Sequence, residues 1–241
     1  MFFERIAPGG VAEFYKFTMT HFITALVCFY LIYLFWKNTE RIKHSKHETL
    51  IRYLIALFML LTNISIWYYA YKHGLPWYKY LPEATCGWAI YFGGFGLLFK
   101  NRTLLLLCLF WGFGALSTIL GANVLEGPLR YNFYQFFMRH ILIVVAGIYM
   151  VKVLGYKVYR NDFKTYFIVT FIMVILGGLI SWTVGEPESL NMFYTLKPGI
   201  DGTPLSWLLD KSYWLYIVTW IIVGSGLGYI YAYPFYEKKT P

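Results

Sequence analysis

Seven long apolar runs, separated by short polar connections, constrain this chain more than any other feature. They cover 17–36, 51–71, 82–99, 104–124, 132–154, 164–184 and 212–234. A helix needs about 20 mostly apolar residues to cross the hydrocarbon of a bilayer, so the pattern predicts an all-α, polytopic membrane bundle of about seven transmembrane helices. Short connections favour antiparallel neighbours. Only 14% of the 241 residues are charged, while 59% are hydrophobic and 22% aromatic. A soluble domain carries about a quarter charged residues, and a chain this apolar has more greasy surface than one globule can hide. The runs extend from end to end, so residues 1–241 read as a single integral membrane domain. The first run is too long for a cleaved leader, and the residues before it mix acidic and basic charge.

The basic residues alternate between the two sets of connections. One set holds thirteen: Lys37, Arg41, Lys43, Lys46, Arg52, Lys100, Arg102, Lys152, Lys157, Arg160, Lys164, Lys238 and Lys239. The other holds seven: Arg5, Lys16, Lys72, Lys79, Arg130, Lys197 and Lys211. The richer set belongs in the cytoplasm, which puts the N-terminus outside and the C-terminus inside. The net charge of +9 thus has an origin in topology, and nucleic acid is not an expected partner. Aromatic residues crowd the outer boundary, with Trp77, Tyr78 and Tyr80 before the third run and Tyr131, Phe133 and Tyr134 entering the fifth, as an interfacial belt does. The longest connection, 185–211, is rich in Gly and Pro and carries a short apolar stretch from Leu205 to Leu209 suited to the membrane surface. Cys28, Cys86 and Cys108 have no metal-ligand spacing and form no disulfide framework. No cofactor motif is present: the glycines of Gly93-Gly94-Phe95-Gly96 and Gly224-Ser225-Gly226-Leu227-Gly228 lie inside apolar runs, where small residues admit close helix packing.

Membrane helices seldom carry polar groups without use. His21, Asn63, Glu83, Cys86, Asn123, Gln135, Arg139 and His140 are the exceptions in this chain. Pro82 suits the first position of a helix, which sets Cys86 just beyond the first turn, where the positive end of the macrodipole favours a thiolate. Cys86 then lies about 6 Å into the third helix and His140 about 12 Å into the fifth, depths at which modest tilt lets the two meet as a nucleophile and its base. A small buried thiol and a packed imidazole are the alternative readings of the same residues. Arg139 and His140 are adjacent and so cannot share a helix face, whereas Gln135 and Arg139, four apart, do.

At these residues the sequence resembles the YwaF-type bacterial integral membrane proteins, which are related to the transmembrane-protein-164 acyltransferase group. The features are His21 opening the first helix, Leu81-Pro82 with Cys86 at the third, and Phe136-Phe137 with His140 in the fifth. Asn191, Tyr194, Lys197 and Pro198 follow in the outer loop, and Tyr213, Trp214 and Tyr216 in the last helix. The resemblance implies a lipid acyltransferase or acyl hydrolase with Cys86 as nucleophile and His140 as base. Its partners would be membrane phospholipids or lipoprotein acyl chains, with no cofactor and no metal. His21, Asn123, Gln135, Arg139 and Lys197 are the residues expected to contact substrate. The competing class is a non-catalytic transporter or lipid-binding protein, in which the same polar side chains line a solute cavity.

Overall fold

The computed structural model describes residues 2–5, 11–122, 124–184, 190–196 and 204–237. Asn123 and Lys197, two of the expected substrate contacts, lie outside the described residues. All seven apolar runs are helices: α1 (Met19–Lys43), α2 (Glu48–Lys72), α3 (Thr85–Phe99), α4 (Arg102–Leu120), α5 (Tyr131–Ile148), α6 (Asp162–Val184) and α8 (Tyr213–Ala232). The apolar stretch of the long loop forms an eighth helix, α7 (Pro204–Lys211). No strand of a sheet occurs among the described residues, only a bridge between Val158 and Tyr236. Six helices are long and apolar enough to cross a membrane. The exception is α3, whose 15 residues measure about 22 Å at helical rise, short of the roughly 30 Å of bilayer hydrocarbon.

The backbone groups into two compact units. The first comprises Met1–Thr62 with Ala89–Tyr156, the second Asn63–Trp88 with Lys157–Pro241, so α2 and α3 each contribute to both.

In the first unit α5 is the inner helix: 72% of its most apolar stretch is buried, against 17% for α1. The seam between α4 and α5 depends on small residues. A Cβ on Gly147 would stand 2.9 Å from Leu109 Cδ1 and 3.2 Å from Leu109 Cα. The glycines of α3 serve the same end, with Gly96 against Leu105 and Gly93 facing Met59, Cys108 and Ala146. Cys108 is fully buried and donates its thiol to the carbonyl of Ile143. Cys28 packs with Phe14, Ala25, Ile119 and Phe137 in an apolar cluster.

Arg52, expected among the loop cations, is instead part of α2 and 3% exposed. Its Nη1 donates to the carbonyls of Leu97 (2.5 Å) and Leu98 (3.2 Å), and its Nε to the Glu48 carboxylate at 3.2 Å. The last carbonyls of a helix lack intrahelical donors and carry the negative end of the macrodipole. A cation there supplies both hydrogen bonds and charge. Glu48 in turn accepts the Tyr149 hydroxyl at 2.8 Å. Tyr149 opens a π-turn, Tyr149–Val153, that widens the end of α5, and Lys152 in the same turn lies over the Trp36 ring at 4.8 Å.

In the second unit the segment 190–196 packs against α6 and α8, and Val174, Leu190, Met192 and Phe193 form its apolar centre. Gly177 of α6 leaves the room that the Phe193 ring fills, since a Cβ there would approach Phe193 Cδ2 to 2.5 Å. Lys157 and Glu237 pair at 2.6 Å beside the Val158–Tyr236 bridge.

Gly147→Ala should destabilise the protein by about 1–3 kcal/mol, because its methyl group meets the backbone of α4. Gly224→Ala, where a Cβ meets nothing within 4 Å, should be neutral or stabilising. Thermal unfolding in detergent, followed by maleimide labelling of the buried Cys108, distinguishes the two; equal midpoints would show that the α4–α5 seam tolerates the added methyl.

Candidate functional site

The residues before α3 are not helical as Pro82 leads one to expect. The helix begins at Thr85, so Cys86 is its second residue and belongs to the first turn rather than lying beyond it. The reason is a hydrogen bond: the Phe193 N–H donates to the Glu83 carbonyl at 2.7 Å and holds the chain out of the helix at that point. Pro82 follows a short 3-10 turn, Trp77–Tyr80, whose Lys79 reaches on to pair with the Glu83 side chain at 3.0 Å. Cys86 is half-buried and reduced. It sits in the first turn of the helix, where partial positive charge accumulates.

The strap that meets Glu83 is built unusually. Phe193 and Tyr194 both adopt left-handed backbone conformations, with φ of 54° and 56°, although neither is glycine. Side chains with a Cβ avoid this region unless their surroundings impose it. Here α8 imposes it: Trp220 Nε1 donates to the Phe193 carbonyl at 2.9 Å, and the Tyr216 hydroxyl donates to the Tyr194 carbonyl. On α6, Ser181 accepts the Met192 N–H at 2.9 Å. Asn191 closes the turn by accepting the Leu196 N–H at 2.9 Å through its side chain. Burial pushes the Tyr194 phenol up to about 12, and the nearby Cys86 and Glu83 add to the shift, so the phenol stays protonated throughout the physiological range. Asn191, Tyr194 and Tyr216 were visible in the sequence as elements of a pattern. Their role in holding a strap against the start of α3 was not, since a left-handed Phe-Tyr pair leaves no mark in composition.

In the first unit His140 is buried on α5, and its Nδ1 lies 2.6 Å from the Phe136 carbonyl. A carbonyl only accepts, so Nδ1 carries the proton and Nε2 of the neutral ring keeps its lone pair. The imidazole rests on the Phe136 ring, with centroids 4.6 Å apart. Gln135 is buried too, and its amide donates to the Thr62 carbonyl of α2 at 2.6 Å. Arg139, one turn further along the same face, is half-buried, with Tyr91 of α3 within reach of its charge.

His21 uses both ring nitrogens. Nδ1 accepts the Phe17 N–H at 2.9 Å, and Nε2 donates to the Ile119 carbonyl at 2.9 Å. This imidazole therefore ties α1 to the end of α4. Phe14 stacks edge-on against it at 5.5 Å and enters the apolar cluster beneath. The segment bearing Phe14 is anchored by Glu13, whose carboxylate accepts from Arg130 Nε at 2.7 Å and from the Gly127 N–H at 3.3 Å. The structure thus gathers Cys86, Glu83 and Tyr194 in one unit and His21, Gln135, Arg139 and His140 in the other.

Removing the Trp220 N–H or the Tyr216 hydroxyl, as Trp220→Phe or Tyr216→Phe, frees a buried carbonyl of the strap at a cost of about 1 kcal/mol or more. Labelling of native Cys86 by a soluble maleimide should then quicken about fivefold, read on the Cys86 peptide by mass spectrometry. Unchanged labelling would mean that the strap does not control access. The Arg130 guanidinium holds the Glu13 carboxyl below its ordinary value. The anchor is consequently intact at neutral pH and is lost as pH falls through that lowered value, so hydrogen exchange at residues 11–16 should rise only in acid, and Glu13→Gln should raise it at pH 7.

Neither curated proteins nor solved structures give a match to this chain. The model of the TMEM164 family does, over residues 13–231. That stretch begins at the Glu13 anchor, contains all seven apolar helices but for the last residue of α8, and includes the thiol, both buried imidazoles and the strap. A match of this extent makes the chain a multi-pass membrane protein belonging to the TMEM164 family.

Proposed function

We propose that this protein is a plasma-membrane enzyme of the YwaF-type bacterial branch, with its N-terminus outside, and that it moves acyl chains at the outer leaflet. Cys86 is the nucleophile and His140 the general base. The observation that carries the reading is the protonation pattern of His140: with Nδ1–H committed to the Phe136 carbonyl at 2.6 Å, the basic Nε2 is the nitrogen left to take a proton. The position of Cys86 in the first turn of α3 supports it, because the helix start favours negative charge on sulfur. The excess of Lys and Arg in alternate connections supports the orientation.

The chemistry balances without a cofactor. His140 Nε2 accepts the thiol proton as sulfur attacks the ester carbonyl of a phospholipid or lipoprotein and a C–S bond forms. The tetrahedral oxyanion collapses, the C–O bond to the leaving alcohol breaks, and the imidazolium returns its proton to that oxygen. The oxygen of a second acceptor, a lipid hydroxyl or water, then attacks the acyl thioester and gives its proton to His140; a C–O bond forms, the C–S bond breaks, and the imidazolium returns the proton to sulfur.

Cys86→Ala should lower acyl exchange between labelled lipids in reconstituted vesicles by about a thousandfold or more. His140→Ala should lower it by about 10²–10⁴. A hydroxylamine-sensitive acyl group should accumulate on Cys86 of the wild-type protein. Full exchange by the Cys86→Ala protein would dismiss the thiol as nucleophile.

A further inference from the structure

The last two turns of α1 carry cations that the fold leaves exposed. With 25 residues, α1 measures about 37 Å, longer than the roughly 30 Å of bilayer hydrocarbon. Trp36, 41% exposed, marks the boundary as aromatic residues do at an interface. Lys37, Arg41 and His44 follow it, all exposed, and so stand at headgroup level. Leu26, Tyr30, Tyr33, Lys37, Arg41 and His44 recur at intervals of three or four and therefore share one stripe along the helix. The buried residues His21, Ala25, Cys28 and Thr39 occupy the opposite side, which packs into the first unit. Leu26, Tyr30 and Tyr33 are each more than half exposed, so the stripe faces outward along its whole length. It is apolar and aromatic below, cationic above.

Neither Lys37 nor Arg41 has an acidic partner among the described residues. Glu40, the single acidic residue of α1, lies 3.9 Å from His44. Glu48, at the start of α2, is committed to Arg52 and Tyr149. The negative end of the helix macrodipole accounts for cations in the last turn, but Lys37 lies before that turn. Helical side chains lean toward the N-terminus of their helix, so Arg41 reaches back toward the boundary. The long stem of Lys37 carries its ammonium outward to water. The two charges thereby converge on one level, that of the lipid phosphates. A second copy of the chain applied to this stripe about a twofold axis would set like charges against each other. An anionic lipid matches both halves, with its headgroup on Lys37 and Arg41 and its chains along Tyr33, Tyr30 and Leu26. A zwitterionic headgroup brings its own cation to the same place and gains less.

We propose that this stripe of α1 is a docking surface for an anionic glycerophospholipid, one whose headgroup carries net negative charge. The stripe's cations begin about 24 Å along α1 from His21, and the lipid held there is a resident of the helix surface, not a substrate. The whole chain, solubilised in detergent, is read by native mass spectrometry with dioleoyl phosphatidylglycerol or dioleoyl phosphatidylcholine, lipids of equal chains and unequal net charge. Wild type should retain phosphatidylglycerol well above phosphatidylcholine. Lys37→Gln combined with Arg41→Gln should lower phosphatidylglycerol retention about thirtyfold, since each cation at a membrane surface contributes about fivefold. Lys43→Gln combined with Lys46→Gln removes the same charge from the tip beyond the stripe and should leave retention near that of wild type. Equal retention by wild type and the Lys37/Arg41 variant would overturn the proposal. Equal loss in both double variants would overturn it as well, by reducing the effect to net charge. A wild-type dimer that carries no lipid would assign the stripe to a second copy instead. Displacement of the lipid by millimolar glycerol phosphate, or by an oligoglutamate peptide, would likewise overturn it by assigning the cations to a soluble anion. Binding alone is read, so these outcomes stand whether or not Cys86 is a nucleophile.

Discussion

Backbone groups buried in hydrocarbon have no water to complete them, and much of this structure follows from how that demand is met at the two ends of α3. At its C-terminal end the answer is a guanidinium. Arg52 satisfies the Leu97 and Leu98 carbonyls, Glu48 balances Arg52, and Tyr149 completes Glu48. Each member of the chain makes the next affordable. Buried polar networks of this kind stand or fall together, because losing one partner strands the charge of another. At the other end, the chain entering α3 is held by the Phe193 N–H on the Glu83 carbonyl. A helix of 15 residues is thereby finished by protein rather than by solvent.

The two units reach compactness by different means. The first packs helix on helix through glycine and alanine, so that α4 and α5 touch nearly backbone to backbone at Gly147. Dispersion and shape drive such seams where lipid offers no hydrophobic contrast. The second packs helices against a loop: Phe193 fills the hollow of Gly177, and two side chains of α8 grip the carbonyls beside it. The chemically suggestive residues divide accordingly, with the imidazoles in the close-packed unit and the thiol beside the loop.

The helices were legible because a bilayer imposes one simple rule on every span. Residues 104–124, 132–154 and 164–184 correspond to α4, to α5 with its π-turn, and to α6 within a few positions, since hydrophobic length alone decides them. The start of α3 was not legible from Pro82, because a contact with a residue more than a hundred positions away keeps Glu83 extended. Arg52 was visible as a charge but was counted with the loops; its burial depends on where the C-terminus of α3 arrives. Cys86, His140 and Arg139 stood out as polar exceptions in apolar runs. His21 and Gln135 stood out equally, and only coordinates reveal that their polar atoms are committed to the Ile119 and Thr62 carbonyls. Tyr194 was nameable, but nothing in the sequence betrays its left-handed backbone.

The left-handed pair at Phe193 and Tyr194 also bears on the order of assembly during synthesis. A segment that disfavours its own conformation does not adopt it alone; it waits for the donors that compel it. Those donors, Tyr216 and Trp220, belong to α8, which is translated after the segment it holds. Until that helix enters the membrane, nothing holds Phe193 and Tyr194 in the left-handed region. The turn at Phe193 and Tyr194 is therefore a late event of assembly, set only once α8 has joined the residues it grips.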